Sequence, residues 1–178
     1  MSEPLSSRLA TPADIPALKV LMERSISLLL PAFLSPEEVT ASHEVMGLDT
    51  QLIADATYFV IETEGAIAGC GGWSRRATLF GGDHTSGRDA ALLDPATEAA
   101  RVRAMYTDPD FTRRGVGRLI LSLCEARAAA EGFKRCEMAA TMGGEPLYAA
   151  CGYHRIEPFE AVTSNGVRVP LVRMGKAL

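Results

Sequence analysis

The strongest constraint in this 178-residue chain is a turn, Thr112-Arg113-Arg114-Gly115-Val116-Gly117-Arg118, that opens its clearest helix. Val116, Leu119, Ile120, Leu123 and Cys124 recur at the spacing that a helix buries on one face. Gly132 stands where a left-handed cap would end that helix, with Phe133 as its apolar partner. Residues 99–107 read as a strand, and Pro109 ends it. A helix N-terminus presents backbone N–H groups without partners, and the helix dipole adds positive charge there. Two glycines let an anion come close, and three arginines can pair with its oxygens. The turn is therefore expected to bind phosphate. A Walker loop needs Gly-x-x-x-x-Gly-Lys-Ser/Thr, which the chain lacks. A dinucleotide fingerprint needs a glycine where Ile120 stands.

The rest of the chain places this unit in a mixed sheet. Thr11-Pro12 opens a helix that carries Ile15, Leu18, Leu21 and Met22 on one face. Ser35-Pro36 starts a second helix, with Glu37 and Glu38 suited to its dipole, and Gly47 stops it. Asp49 to Asp55 reads as a short helix. Thr57 to Thr63 and Ala66 to Ser74 form a hairpin about Glu64-Gly65, and the glycines of the second strand allow a close approach. Arg75 to Ala96 is a loop of about twenty residues, long enough to suggest a function. Lys134 to Ala140 is a strand and Pro146 to Ala150 a short helix. Tyr153 to Phe159 and Val167 to Met174 close the chain as a hairpin around Asn165-Gly166. The expected class is α/β or α+β, in one domain over 1–178.

Composition narrows the function. With 18 Lys and Arg against 22 Asp and Glu the chain is acidic and lacks the broad footprint of a nucleic-acid binder. No apolar stretch is long enough to span a membrane, and the first ten residues do not read as a signal peptide. The four cysteines, Cys70, Cys124, Cys136 and Cys151, form no Cys-x-x-Cys pair, and with three histidines no metal site is expected. The default is a reduced, cytoplasmic protein.

Arg101 to Arg118 resembles the acyl-CoA-binding motif of the GNAT N-acetyltransferase superfamily: a strand, a Pro-containing turn, then Gln/Arg-x-x-Gly-x-Gly/Ala at a helix start. The later Gly144-Glu145-Pro146-Leu147-Tyr148, followed by Gly152-Tyr153, resembles that family's second signature. The resemblance implies a mostly antiparallel sheet flanked by helices, with its middle strands splayed apart. It implies acetyl-CoA as co-substrate and a primary amine as acceptor, with direct transfer in a ternary complex. Met105, Tyr106 and Thr107 would then hold the pantetheine arm by their backbone. Thr112, Arg113, Arg114, Gly115, Val116, Gly117 and Arg118 would hold the pyrophosphate. Tyr148 would protonate the departing thiolate; a phenol near pKa 10 facing a thiol near 8.5 suits that role.

Two positions depart from the pattern. Thr112 stands at the Gln/Arg position, and Thr141 stands where the family often has asparagine beside the acyl-carrier arm. Tyr148 also reads as a packing residue, and Trp73 as either core or acceptor pocket. Cys124 reads as core, and His43 and His84 as solvated or hydrogen-bonded loop residues. Glu98, Asp83 and His84 are candidate general bases, but no spacing separates them from surface charge. Residues 81–98 hold Asp83, Asp89, Asp94 and Glu98 against Arg88; folded over an acceptor pocket, they would favour a cationic amine. A small-molecule acceptor is expected. The alternatives are a non-catalytic acyl-CoA sensor and an acetyltransferase acting on protein amines. The apolar final strand suggests pairing across a homodimer through a sheet edge.

Overall fold

The computed structural model describes residues 3–178. A seven-stranded sheet runs in the order β1-β2-β3-β4-β5-β7-β6. The strands are β1 (Ser6–Leu9), β2 (Tyr58–Thr63), β3 (Ala66–Ser74), β4 (Ala100–Thr107), β5 (Arg135–Thr141), β6 (His154–Val162) and β7 (Arg168–Ala177). Every neighbouring pair is antiparallel except β4 with β5. The helices are α1 (Ile15–Leu29), α2 (Pro36–Val45), α3 (Thr50–Ala54), α4 (Val116–Ala130) and α5 (Glu145–Ala150). None is long and apolar enough to cross a membrane.

Local chemistry sets the helix starts. A 3-10 turn, Pro12–Asp14, precedes α1, and the Asp14 carboxylate accepts from the Thr11 N–H. At α2 the Ser35 hydroxyl accepts from the Glu38 N–H and the Glu38 carboxylate accepts from the Ser35 N–H, a reciprocal cap. Leu18, Leu21, Met22 and Ile26 of α1 pack on Tyr58, Val60 and Cys70 on one face of the sheet. Ile120, Leu121 and Cys124 of α4 pack on Ile61, Ala68, Val102 and Met138 on the other. That contact is close because β3 carries glycines. A Cβ on Gly69 would lie 2.4 Å from Val116, and one on Gly71 would lie 2.7 Å from Ile120.

The strand β1 is absent from the sequence reading. It is four residues long and exposed throughout, so it shows no apolar alternation. The final strand does not offer a free edge. β7 lies between β5 and β6, and the outer edge belongs to β6, which carries Pro158. Trp73 belongs to the core on the α4 side, edge-on to Phe133 at 6.1 Å. Cys70, Cys124 and Cys136 are buried, and burial raises all three thiols, Cys70 and Cys136 to about 12. They are protonated packing groups.

Candidate active site

β4 and β5 pair only at Ala100 with Cys136 and Arg101 with Glu137. Beyond those residues the two parallel strands part. Their outer edges stay occupied, β4 by β3 and β5 by β7 along its whole length. The inner edges therefore face a V-shaped cleft. Such edges are rows of backbone donors and acceptors available to a ligand.

A bulge shapes the β4 wall. Ala104 and Met105 together lie opposite Gly71, and Ala104 takes a left-handed φ of 48°. The Tyr58 hydroxyl donates to the Ala104 carbonyl at 2.7 Å and fixes this departure from the ladder. Met105 and Tyr106 line the cleft, and Thr107 ends the strand. Tyr106 is buried, and its hydroxyl accepts from the Gly47 N–H at 2.9 Å. Thr141 lines the opposite wall, where its hydroxyl accepts from the Gly144 N–H at 3.1 Å. Its hydroxyl thus holds the turn into α5.

Past Thr107 the chain turns through Pro109–Phe111 to the start of α4. Gly115 is the N-cap, at φ 86° with open space where a Cβ would stand. The Leu119 N–H bonds the Gly115 carbonyl, so the N–H groups of Val116, Gly117 and Arg118 have no partner within the helix. The three arginines are not equivalent. Arg114 donates to Glu64 at 2.6 Å and stacks on Phe111. Among the described residues neither Arg113 nor Arg118 has an ion-pair partner, and both are exposed. Thr112 is exposed, and its hydroxyl donates to the Pro109 carbonyl. Gly117 has a packing role as well: a Cβ there would lie 2.4 Å from Leu147 of α5.

Tyr148, on α5, lines the cleft and packs edge-on to Tyr153. Among the described residues no group hydrogen-bonds its hydroxyl. Burial raises the phenol above its ordinary value, with smaller contributions from Cys124 and Cys151, so it carries its proton at neutral pH.

Sequence reasoning missed the floor of the cleft, and it left open whether the loop 75–96 lines the site. The floor is Arg103 of β4, 3% exposed. It meets Asp49 at 3.1 Å and donates to the Gly81 carbonyl at 2.6 Å and the Thr78 carbonyl at 3.4 Å. The roof is the loop 75–96, which places Leu79, Phe80 and Gly81 on the cleft. The signal for Arg103 was a charge in mid-strand between Val102 and Ala104, a position that demands a buried partner. The partner, Asp49, is far away in sequence.

The loop's acids do not face the cleft. Asp83 accepts from the Thr50 N–H and hydroxyl. Asp89 accepts from the Ala91 N–H and Asp94 from the Ala96 N–H, each as a local turn. Glu98 accepts from the Asp94 N–H at 2.6 Å. Among the described residues that line the cleft there is no carboxylate and no imidazole. His43, His84 and Asp83 line an adjoining hollow beside α1 that shares Met46 and Gly47 with the cleft; there the His84 ring rests on Gly47 and its Nε2 meets the His43 carbonyl at 2.9 Å.

A strand pair that opens beside a glycine-started helix is the arrangement the two motifs implied, and a family profile decides the matter. The profile described as Acetyltransferase (GNAT) family matches residues 24–153. The chain belongs to that family. A search of curated proteins found no match. Solved structures of the same fold include a GCN5-related N-acetyltransferase from Rhodopseudomonas palustris, 18% identical, with a TM-score of 0.73 over 100% of this chain and 98% of that one. A ribosomal-protein-alanine N-acetyltransferase from Brucella melitensis is 18% identical, with a TM-score of 0.64 over 97% and 99%. A phosphinothricin acetyltransferase from Sinorhizobium meliloti, solved with AcCoA, is 18% identical, with a TM-score of 0.65 over 98% and 88%. Those last two GNAT proteins are named for a protein acceptor and a small-molecule acceptor respectively, so the shared fold leaves the acceptor open.

Proposed function

We propose that the chain, residues 1–178, works as one N-acetyltransferase domain that moves an acetyl group from acetyl-CoA to a primary amine of a small molecule, with both substrates bound at once. The observation that carries this reading is an unpaired strand edge on β4 that is followed in the chain by the unpaired N-terminus of α4. The first suits an amide-bearing arm and the second a pyrophosphate.

Acetyl-CoA supplies an acyl group activated as a thioester. The N–H groups of Val116, Gly117 and Arg118, left-handed Gly115, and the exposed Arg113 and Arg118 bind the pyrophosphate. Thr112 and the Glu64-paired Arg114 border the same turn. Met105, Tyr106 and Thr107 orient the arm along β4, with Thr141 across the cleft. Leu79 and Phe80 exclude water from above. The Tyr148 hydroxyl holds a proton toward the cleft and delivers it to the departing sulfur. Burial raises the phenol and a thiol beside it in the same direction. A general acid contributes roughly 10²- to 10⁴-fold, and fixed orientation adds to it. The amine loses its proton to water or to a group of the adjoining hollow, where Asp83, His43 and His84 stand.

The test is a thermal-shift titration with acetyl-CoA, CoA and ATP. Ligand at 100 times Kd adds ~2.7 kcal/mol, a rise of roughly 5 to 10 °C for this chain length. Both CoA species should protect and ATP should not. Thiol release that depends on an added amine then establishes transfer. Release that no amine stimulates would replace the enzyme reading with an acyl-CoA-binding module.

A further inference from the structure

Among the described residues that line the cleft, Arg103 is the one with a charged side chain. β4 runs toward the α4 N-terminus, so an arm laid along Thr107 to Met105 points its acyl end at Arg103 and the loop beyond. Arg103 and Arg88 share Asp49, at 3.1 and 2.8 Å, with Asp83 a further 3.9 Å from Arg88. On the same face of the neighbouring strands, Arg101 and Arg173 share Glu137, with Arg101 at 3.1 Å and the Arg173 Nε at 3.0 Å. Four guanidinium groups thus stand around two bridging carboxylates, with Asp83 at the margin. Arg103 is the one that lines the cleft. A guanidinium has five donors, and Thr78, Asp49 and Gly81 take three of them. Unspent donors on a buried cation suit an anion. The walls above it are apolar: Val45, Met46, Leu79, Phe80, Met138 and Leu171.

We infer that the acceptor is a primary amine that carries a carboxylate beside the amine and an apolar side chain, the α-amino acid class, with Arg103 reading the carboxylate. This rests on the acetyltransferase reading and reverses the preference for a cationic amine that loop composition suggested. The loop's own acids are consumed in turns and caps, while its carbonyls at Thr78 and Gly81 hold Arg103 in place. The same chemistry disfavours the N-terminus of a protein, where the group next to the amine is a neutral amide.

The test compares L-leucine with L-leucinamide, and L-phenylalanine with phenethylamine, as acceptors for the full chain with acetyl-CoA. Thiol release is read across pH so that rates are compared per free amine. Leucine and phenylalanine should exceed their neutral partners by at least about tenfold in kcat/KM, the size of one charge-assisted hydrogen bond. Equal or better use of the neutral amines overturns the inference and leaves acetyl transfer standing. If no amine releases thiol, the transfer reading fails separately. Binding then decides: protection against heat by leucine over leucinamide, with CoA present, sustains the carboxylate site, and equal protection removes it. Arg103→Lys and Arg88→Ala complete the test. A residue that only pins the loop would lower both rates of a pair together. A residue that reads the carboxylate lowers the acid-to-amide ratio, more for Arg103→Lys than for the half-exposed Arg88.

Discussion

Arg103 of β4 and Asp49 at the head of α3 form an ion pair at 3.1 Å with side chains only 2% and 4% exposed. The pair joins the sheet to the segment that precedes β2, and through the Gly81 carbonyl it holds the loop over the cleft. Breaking a buried pair from one side costs about 3–5 kcal/mol because it strands the other charge. Asp49→Asn keeps an oxygen to accept from the Gln51 N–H, as Asp49 does now, but it removes the charge and turns an NH2 donor toward Arg103 in place of the oxygen that accepts from it. Its melting temperature should fall by roughly 6 to 20 °C. A fall below about 2 °C would mean that the Thr78 and Gly81 carbonyls suffice for Arg103.

The arginines of the α4 turn should separate in a binding assay. Arg113→Ala and Arg118→Ala each remove an exposed cation without an ion-pair partner, and acetyl-CoA affinity should drop about tenfold for each, measured by calorimetry at low salt. Arg114→Ala should cost less, because Glu64 already holds that side chain. The reverse order would place the pyrophosphate on the Glu64 side of the turn.

Tyr148→Phe should lower kcat by roughly 10²-fold or more and leave acetyl-CoA affinity nearly intact. The ring keeps its edge-on contact with Tyr153, so packing survives the change. An unchanged kcat would leave the departing sulfur to be protonated by water.

Acid should loosen the loop over the cleft. Asp55 receives both the Nε and the Nη2 of Arg76, at 2.7 and 2.9 Å. That hydrogen bonding holds its carboxyl below the ordinary carboxylate value, against the opposing effect of burial. A depressed folded pKa means stability that is complete above the unfolded value near 3.9 and is lost as pH falls through the folded one. Asp14, depressed by its hydrogen bonds from Arg8, acts with the same sign. Melting temperature should stay level from pH 7 to about 5 and fall below about 4. Asp55→Asn should start lower and show a shallower acid decline; a parallel decline would assign the acid sensitivity to other carboxylates.

What the sequence disclosed follows from what local patterns can carry. The α4 stripe, the Gly132 cap, the paired strands about Glu64-Gly65 and the Asn165-Gly166 turn depend on neighbours within a few residues, and each stands where it was read. The splay of β4 from β5 has no local signature and came only with the family resemblance. Arg103 reads as one more polar strand residue until Asp49, 54 positions away, is folded against it. The loop acids misled for the converse reason: composition counts charges, and only the folded chain shows Asp89 and Asp94 spent on their own backbone. Arg114 drew attention equally with Arg113, because nothing in the string shows Glu64 beside it.

Gly117 links two places usually considered apart. Its missing side chain is the space that Leu147 occupies, 2.4 Å from where a Cβ would stand, and Leu147 is the residue next to Tyr148. The helix that opens on the pyrophosphate and the helix that carries the phenol are thus gauged against each other by the absence of one methyl group. On the proposed reading, seating the nucleotide end of the cofactor and aiming the proton donor would be a single mechanical adjustment, with drift in one felt as misalignment in the other.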